Sequence, residues 1–428
     1  MEKILYNGLC RVQAHFGLMR NGEIHMKLCK AVPANAVYAA DALGICLERL
    51  NVLDEYCLHA VNELKHAFIG FRILRRGQLI FSGEYGTQTP KGAPLRADAI
   101  YPLASETKPV LATCAAILQE DGKLDFYNQL QKYRQQFTGD MKDEVIMWHL
   151  LCHSSGIDDG EQEKFERELL GEVKDGDWAA AYFKARARLG LPDVPFNEAA
   201  ANEASALAML LAPLASRPGT KFSYSSYGYD LIKSIIEDIT GETLEQFAKR
   251  KIFDPLGMTD THWNLPVEKR DRFVIRDESL KGGRWMNSEG IMTSTSASGG
   301  LKSTLDDMAK FGQMWLQNGT FNGQRIISPA TVKMMTRDHN AKVPPSDWFG
   351  RVFGANWGLG WDLKGDKTDD HGFLRSPKSY NHGGFGGACL LMDPEYDLVF
   401  SGYFCEVLQT SQNDDFGPVF NILYSAFD

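Results

Sequence analysis

The period of apolar and polar positions changes several times along the chain, and each change predicts an element. Residues 8–31 alternate on either side of Arg20-Asn21-Gly22-Glu23. Asn-Gly between alternating runs predicts a hairpin, because both residues tolerate positive φ. From Pro33 to Lys65 the spacing turns helical, with Leu43, Leu47 and Leu50 and then Leu58, Val61 and Leu64 three or four apart. His66–Leu74 and Leu79–Glu84 are strand-like again, a second hairpin about Arg75-Arg76-Gly77-Gln78. Residues 105–265 read mostly as helices separated by Gly and Pro. Strands reappear at Ala388–Met392 and Leu398–Phe404, joined by Asp393-Pro394-Glu395-Tyr396, and Val419–Phe427 predicts a closing amphipathic helix.

Strands at both ends and helices between them predict a mixed α/β (α+β) protein whose sheet is completed by both chain ends. A mainly helical lobe, about 105–295, is inserted between the sheet-forming segments, and a small-molecule site is expected in the cleft between the two. The expected division is an N-terminal extension over 1–50 (hairpin and helix) and a catalytic domain over 51–428. For the extension, an oligomer contact and an added sheet edge are both open.

Composition narrows the class of partner. A formal net charge of -9 repels nucleic acid and anionic membrane surfaces alike. No apolar run is long enough to span a bilayer. The eight cysteines are scattered without a C-x-x-C pair, and several sit beside apolar runs, as in Cys114-Ala115-Ala116-Ile117. They are expected to be buried thiols in a reducing compartment rather than disulfides or zinc ligands. The N-terminal MEKILYNGLCRVQAHFG has neither the apolar core nor the small-residue cleavage site of a signal peptide, so a cytoplasmic location is expected.

Three segments carry candidate chemistry. Ser105-Glu106-Thr107-Lys108 follows a turn-like Tyr101-Pro102-Leu103-Ala104 and opens the helical run Val110–Leu118. Pro109 fits only near a helix start, where its missing N–H falls among the unpaired first-turn donors. Ser105 then sits where the helix dipole favours developing negative charge, with Lys108 on the same face. Burial and a cationic neighbourhood would hold that lysine neutral enough to accept the serine proton. A Ser-x-x-Lys arises by chance on the order of once in such a chain, so alone it describes a helix cap beside a lysine.

The second segment is Tyr224-Ser225-Ser226, ahead of a helix with Leu231, Ile235 and Ile239 on one face. A tyrosine there can carry a proton if lysine charge lowers its pKa, or it can simply pack under a loop. The third is Asn381-His382-Gly383-Gly384-Phe385-Gly386-Gly387, whose glycines let backbone N–H groups approach a ligand or merely turn the chain into a strand.

Taken together, in this order and spacing, the three segments resemble the serine β-lactamase and penicillin-binding-protein superfamily, in its class C β-lactamase-like branch of esterases and D-amino-acid peptidases. Supporting stretches are Leu150-Leu151-Cys152-His153-Ser154-Ser155-Gly156, Pro255-Leu256-Gly257-Met258 with Thr261, Ser298-Gly299-Gly300-Leu301 and Trp357-Gly358-Leu359-Gly360-Trp361. The resemblance runs over roughly residues 55–428 and is far more specific than any one motif. It implies an antiparallel sheet flanked by helices and a two-step acyl-enzyme mechanism with no metal or organic cofactor. It implies Ser105 as nucleophile, Lys108 as its proton partner and Tyr224 as the group that helps activate the serine and protonates the leaving group. His382-Gly383-Gly384 falls where the family has Lys-Thr-Gly or His-x-Gly, and the N–H groups of Ser105 and Phe385 would form the oxyanion hole.

Two positions depart from the family. Ser226 replaces the amide of Tyr-x-Asn with a shorter group of fewer hydrogen bonds. His382 replaces a fixed lysine charge that would grip a β-lactam or peptide carboxylate. The expected partner is therefore a small-molecule ester or amide. Carboxylesterase ranks first, β-lactam or D-peptide amide hydrolysis second, and a non-catalytic scaffold that keeps the fold is the reading from another class. His149 and His153 lack the intervening Glu of H-E-x-x-H, so no metal is expected. The insert at about 157–217 holds extra helices that would either roof the cleft or form an outer layer, and its acidic stretch Asp158–Asp177 is expected to be a solvated surface.

Overall fold

The computed structural model describes residues 17–18, 24–25, 30–64, 66–90, 92–170, 178–188, 190, 195, 207–279, 282–348, 351–405 and 416–428. The elements that position the site are, in chain order, strands β1 (Phe68–Arg75), β2 (Gln78–Gly86), β3 (Asp362–Leu363), β4 (Tyr380–Gly384), β5 (Ala388–Asp393) and β6 (Leu398–Phe404). The helices are α1 (Leu47–Asn62), α2 (Thr107–Glu120), α3 (Asp159–Leu170), α4 (Tyr227–Thr240), α5 (Leu305–Leu316) and α6 (Phe416–Tyr424). Two compact units organise them: residues up to Thr107 with Arg250–Val332 and Asp362–Asp428, and Lys108–Lys249 with Lys333–Trp361.

The first unit holds a six-stranded sheet of order β3-β4-β5-β6-β1-β2, antiparallel at every pairing. Both chain ends build it, as the strand pattern predicts. Arg76 and Gly77 both take positive φ (51° and 72°), the geometry of a tight hairpin turn between β1 and β2. Side chains alternate between two helical layers. Ile69, Phe71 and Ile73 of β1, Cys389 and Leu391 of β5, and Leu398, Phe400 and Phe404 of β6 share one core with Leu50, Leu53 and Cys57 of α1 and Phe416, Phe420 and Leu423 of α6. Each such apolar side chain contributes roughly 1.5–3 kcal/mol of burial.

The intervening positions face α5. A Cβ on Gly312 would lie 2.8 Å from Val399 and 3.0 Å from Leu390, so the absence of a side chain lets the helix lie close on the sheet. Ser401 Oγ donates to Leu305 O at 2.9 Å, and Arg72 pairs with Glu84 at 2.6 Å and Asp306 at 2.8 Å. A charge buried on that face is tolerable because it is paired.

Some boundaries differ from the sequence expectation. The helical stretch after Pro33 is three helices, Ala34–Tyr38, Ala40–Leu43 and α1; the first two part at Ala39, and Gly44, left-handed at φ 61°, ends the second. The glycine-rich segment is itself strand β4 up to Gly384, and the turn is confined to residues 385–387. The closing helix starts at Phe416, three residues early, because Phe416 joins the core. Gly17–Leu18 pairs with Ile24–His25 about the expected Asn21-Gly22 turn, and the rest of 8–29 lies outside the described residues. Six described cysteines are free thiols, five of them buried; Cys10 and Cys29 lie outside the described residues.

The second unit is helical. From Lys108 on, α2 is buried all round, with Val110, Leu111, Ala112, Cys114, Ala115 and Leu118 fully enclosed, as an apolar central helix must be. Leu231, Ile232, Ile235 and Ile236 form the buried face of α4. The insert supplies α3, a helix Trp178–Arg188 that packs on it, and a helical turn at 207–211. Among the described residues, no helix is long and apolar enough to cross a membrane.

Candidate active site

In the first unit the chain is bent sharply ahead of Ser105. Ala104 takes φ 45°, a left-handed conformation that costs a residue with a Cβ about 1–2 kcal/mol. Three bonds hold the bend: Leu103 N–H to Leu301 O (2.9 Å), Leu301 N–H to Thr107 Oγ1 (3.0 Å), and Thr107 Oγ1 to Ala104 O (2.7 Å). Ser105 follows, half-buried, in a 3-10 turn Ala104–Glu106 that runs directly into α2. The expected position at a helix N-terminus is met, and Pro109 lies in the first turn.

The end of β4 lies against this bend. A Cβ on Gly384 would stand 2.0 Å from Leu103 O, so only glycine permits the approach. The turn after it is braced from behind. Arg276, buried, donates through Nη2 to Gly386 O (2.7 Å) and Tyr403 Oη (3.0 Å), and Asn287 brackets the Arg276 backbone by a bond to each side. The Phe385 ring packs over Gly282 and meets the Trp285 ring edge-on at 5.7 Å. His382 is buried, and its Nδ1–H donates to Gly383 O at 2.8 Å, while Gly383 is half-buried. Ser105, His382, Gly383, Gly384 and Phe385 thus belong to one unit, with Arg276 holding the turn at Gly386, the residue after Phe385.

In the second unit, His153 builds the Tyr224 turn. His153 O accepts from Ser223 N–H (2.8 Å), and its Nδ1 accepts from Ser225 N–H (3.0 Å). The imidazole stacks on the Tyr224 ring at 4.2 Å, and Trp357 meets the same ring edge-on at 6.0 Å. Lys108 Nζ stands 4.7 Å above the Tyr224 ring and 5.7 Å above that of Tyr229. Lys108 is wholly enclosed, and burial pulls its pKa down to about 7 against the opposing pull of Asp159 and Asp230. The cationic neighbourhood expected from sequence is therefore not the cause; desolvation alone lowers this amine, and the charges acting on it are carboxylates. An amine with a pKa near 7 is divided between free base and ammonium at neutral pH, which suits proton transfer in both directions.

At Ser226 the bond that the structure shows is made by the backbone. Its N–H donates to Asp159 Oδ2 at 2.7 Å, and Ser225 Oγ donates to Asp159 Oδ1 at 2.7 Å. The acidic stretch expected to be solvated is, at its start, engaged with this turn. Asp158 accepts from Ser223 Oγ at 2.9 Å, and Glu166 accepts from Tyr227 Oη at 3.2 Å. His153, Asp159 and Arg276 are the structural surprises. His153 falls in a family-like stretch and Asp159 in the acidic stretch expected to be solvated, and the sequence singles out neither for the site; Arg276 falls in no stretch the sequence singles out.

His149 and His153 accept from different backbone N–H groups. His149 accepts from Ile146 N–H at 3.3 Å and is pushed down to about 4 by burial, while His153 serves the tyrosine turn. Among the described residues the cluster with metal-ligand character is Asp369, Asp370 and His371, and Arg375 already engages Asp369 at 2.6 Å.

Residues 64–406 match the family model described as Beta-lactamase. The chain belongs to the Beta-lactamase family. It is 25% identical over 389 residues, 82% of this chain and 81% of the other, to an Escherichia coli K12 protein named as a candidate D-alanyl-D-alanine carboxypeptidase. A family VIII carboxylesterase superposes with a TM-score of 0.65 at 20% identity, covering 90% of this chain and 98% of its own. An octameric penicillin-binding-protein homologue from Pyrococcus abyssi gives 0.60 at 22% identity, covering 83% and 73%. At such identities the structural likeness establishes the fold. With the family match, the protein is a serine hydrolase of the β-lactamase fold.

Proposed function

We propose that this protein hydrolyses esters of small molecules through a Ser105 acyl-enzyme, as a carboxylesterase. The observation that carries the reading is Lys108: a fully enclosed amine at a pKa of about 7, one helical turn beyond a half-buried serine and 4.7 Å above the Tyr224 ring. Ser105 Oγ attacks the ester carbonyl carbon while its proton passes to Lys108 Nζ. The carbonyl oxygen becomes an oxyanion received by the N–H groups of Ser105 and Phe385. The C–O bond to the alcohol then breaks, and the alcohol takes a proton by way of Tyr224 Oη. Water adds to the acyl-enzyme, gives its proton to the same pair, and expels Ser105 Oγ, which regains its proton as the acid leaves. Residues 51–428 serve as the catalytic domain in this proposal, and the extension over 1–50, which buries Val32, Ala36, Leu43 and Leu50 in the core of its own chain, is offered also as a contact between copies, in keeping with the octameric relative.

Ester is ranked over β-lactam or peptide because a histidine, tied to Gly383 O, stands at the position of the family's carboxylate-gripping lysine. The name of the Escherichia coli relative supports the second reading, removal of a C-terminal D-amino acid. Labelling with a fluorophosphonate, with Ser105→Ala as control, tests the class: the native protein is expected to label at Ser105, and failure to label would count against any acyl-enzyme. Parallel turnover of a p-nitrophenyl ester, a chromogenic cephalosporin and a D-Ala-D-Ala peptide tests the ranking. Fast cephalosporin or peptide cleavage with slow ester cleavage would reverse it.

A further inference from the structure

We propose that Asp159 is a positioning residue for Lys108 and the Tyr224 turn, supplied by the insert helix α3 in place of the amide that the family carries two residues after its tyrosine. The inference rests on the functional reading above and extends it to a residue no family motif contains.

Ser226 occupies the amide position, and its hydroxyl makes no capping bond to α4. The polar work falls instead to a carboxylate from another element. Asp159 fixes both residues that follow Tyr224, through Ser225 Oγ and Ser226 N–H at 2.7 Å each, and Ser225 Oγ in turn accepts from Gly228 N–H at 3.2 Å in the first turn of α4. Asp158 and Glu166 repeat the pattern at Ser223 and Tyr227, so α3 and the residue just before it hold four residues of the 223–227 segment through their side chains. The tyrosine between these contacts lies under Lys108 Nζ. An amide would be neutral, whereas Asp159 adds a negative charge whose field reaches the amine. The groups facing Lys108 and this turn are Tyr224 and Tyr229 by their rings, His153 behind Tyr224, and the carboxylates Asp159 and Asp230. The lysine is thus balanced between desolvation, which favours the free amine, and two carboxylates, which favour the ammonium.

The discriminating variant is Asp159→Asn, which keeps an acceptor for Ser226 N–H and removes the charge. With a p-nitrophenyl ester, the rising limb of kcat/KM against pH is expected to move to lower pH by about half a unit or more, the displacement expected from removing one charge several ångströms from a partly shielded site. Asp159→Ala, which removes acceptor and charge together, is expected to show the same displacement and in addition at least a tenfold loss of kcat. Glu166→Gln, changed on the same helix but at Tyr227, is expected to leave the limb where it is. An unmoved limb in Asp159→Asn, or an equal displacement in Glu166→Gln, overturns the proposal, and circular dichroism confirms that each variant folds. Fluorophosphonate labelling of the wild type separates the two readings. Without a Ser105 adduct the hydrolase mechanism fails; with an adduct and an unmoved limb only the role of Asp159 fails.

Discussion

Gly384→Ala is the substitution whose consequence follows most directly from geometry. The added Cβ would lie 2.0 Å from Leu103 O and 3.1 Å from both the Leu103 carbonyl carbon and Ala388 Cβ. Side-chain carbons essentially never approach a neighbour under 3.0 Å, so β4 and the bend before Ser105 must separate by at least about 1 Å, the difference between 3.0 and 2.0 Å. Backbone lies on both sides of the clash, so no side-chain rotation relieves it. Overpacking of this kind costs about 1–3 kcal/mol. The larger effect is on rate, because the shift separates Ser105 from the turn carrying Phe385, the two N–H donors proposed for the oxyanion. A misplacement of about 1 Å costs on the order of a hundredfold in rate. Steady-state kcat on a p-nitrophenyl ester, the second-order rate of fluorophosphonate labelling and thermal unfolding are measured together. Gly299→Ala serves as control: it faces the next residue of the same bend, Ala104, but its Cβ would stand 3.7 Å away, an ordinary contact. Retention of kcat within twofold in a folded Gly384→Ala protein would refute the reasoning, as would an equal loss in Gly299→Ala.

Four further outcomes are expected. With Lys108 working as free base, kcat/KM should rise with pH through a midpoint of about 7, and Lys108→Arg, which stays charged, should lose about 10²–10⁴ in rate. Because the folded pKa lies below the unfolded 10.5, the unfolded chain binds more protons between about 7 and 10.5, so wild-type stability should rise across that window relative to Lys108→Met in calorimetry; parallel curves would sink the assignment. Tyr224→Phe keeps the ring stacked on His153, so unfolding should be nearly unchanged while kcat drops by about 10²–10⁴; a variant as active as wild type would remove Tyr224 from proton transfer. Glu106 is enclosed and burial raises it well above the usual carboxyl range, so the wild type should lose stability as pH rises above the unfolded carboxyl value. Glu106→Gln escapes that loss, and its advantage in melting temperature should widen with pH.

Local pattern determined a good deal of this protein. Short strand-like runs bounded by turn residues placed β1, β2, β5 and β6, because a strand with a layer on each face is apolar at most positions. Helical spacing placed α2 and α4, and the order of Ser105, Lys108, Tyr224 and the His382-Gly383-Gly384 segment carried the family, since the chemistry needs those groups in those places. The tertiary structure decided what depends on contacts between distant residues. That Gly384 rather than its neighbours is sterically obligatory follows from Leu103, 281 positions earlier. That desolvation, and not a cationic neighbour, lowers Lys108 follows from how completely the folded chain encloses it. The acidic start of the insert looked like any solvated helix, because nothing in Asp158-Asp159 distinguishes a carboxylate facing water from one holding Ser225 and Ser226. Sequence fixes which groups a segment offers, but the electrostatic energy of each group depends on its distance from charges and from water, and only the folded chain sets those distances.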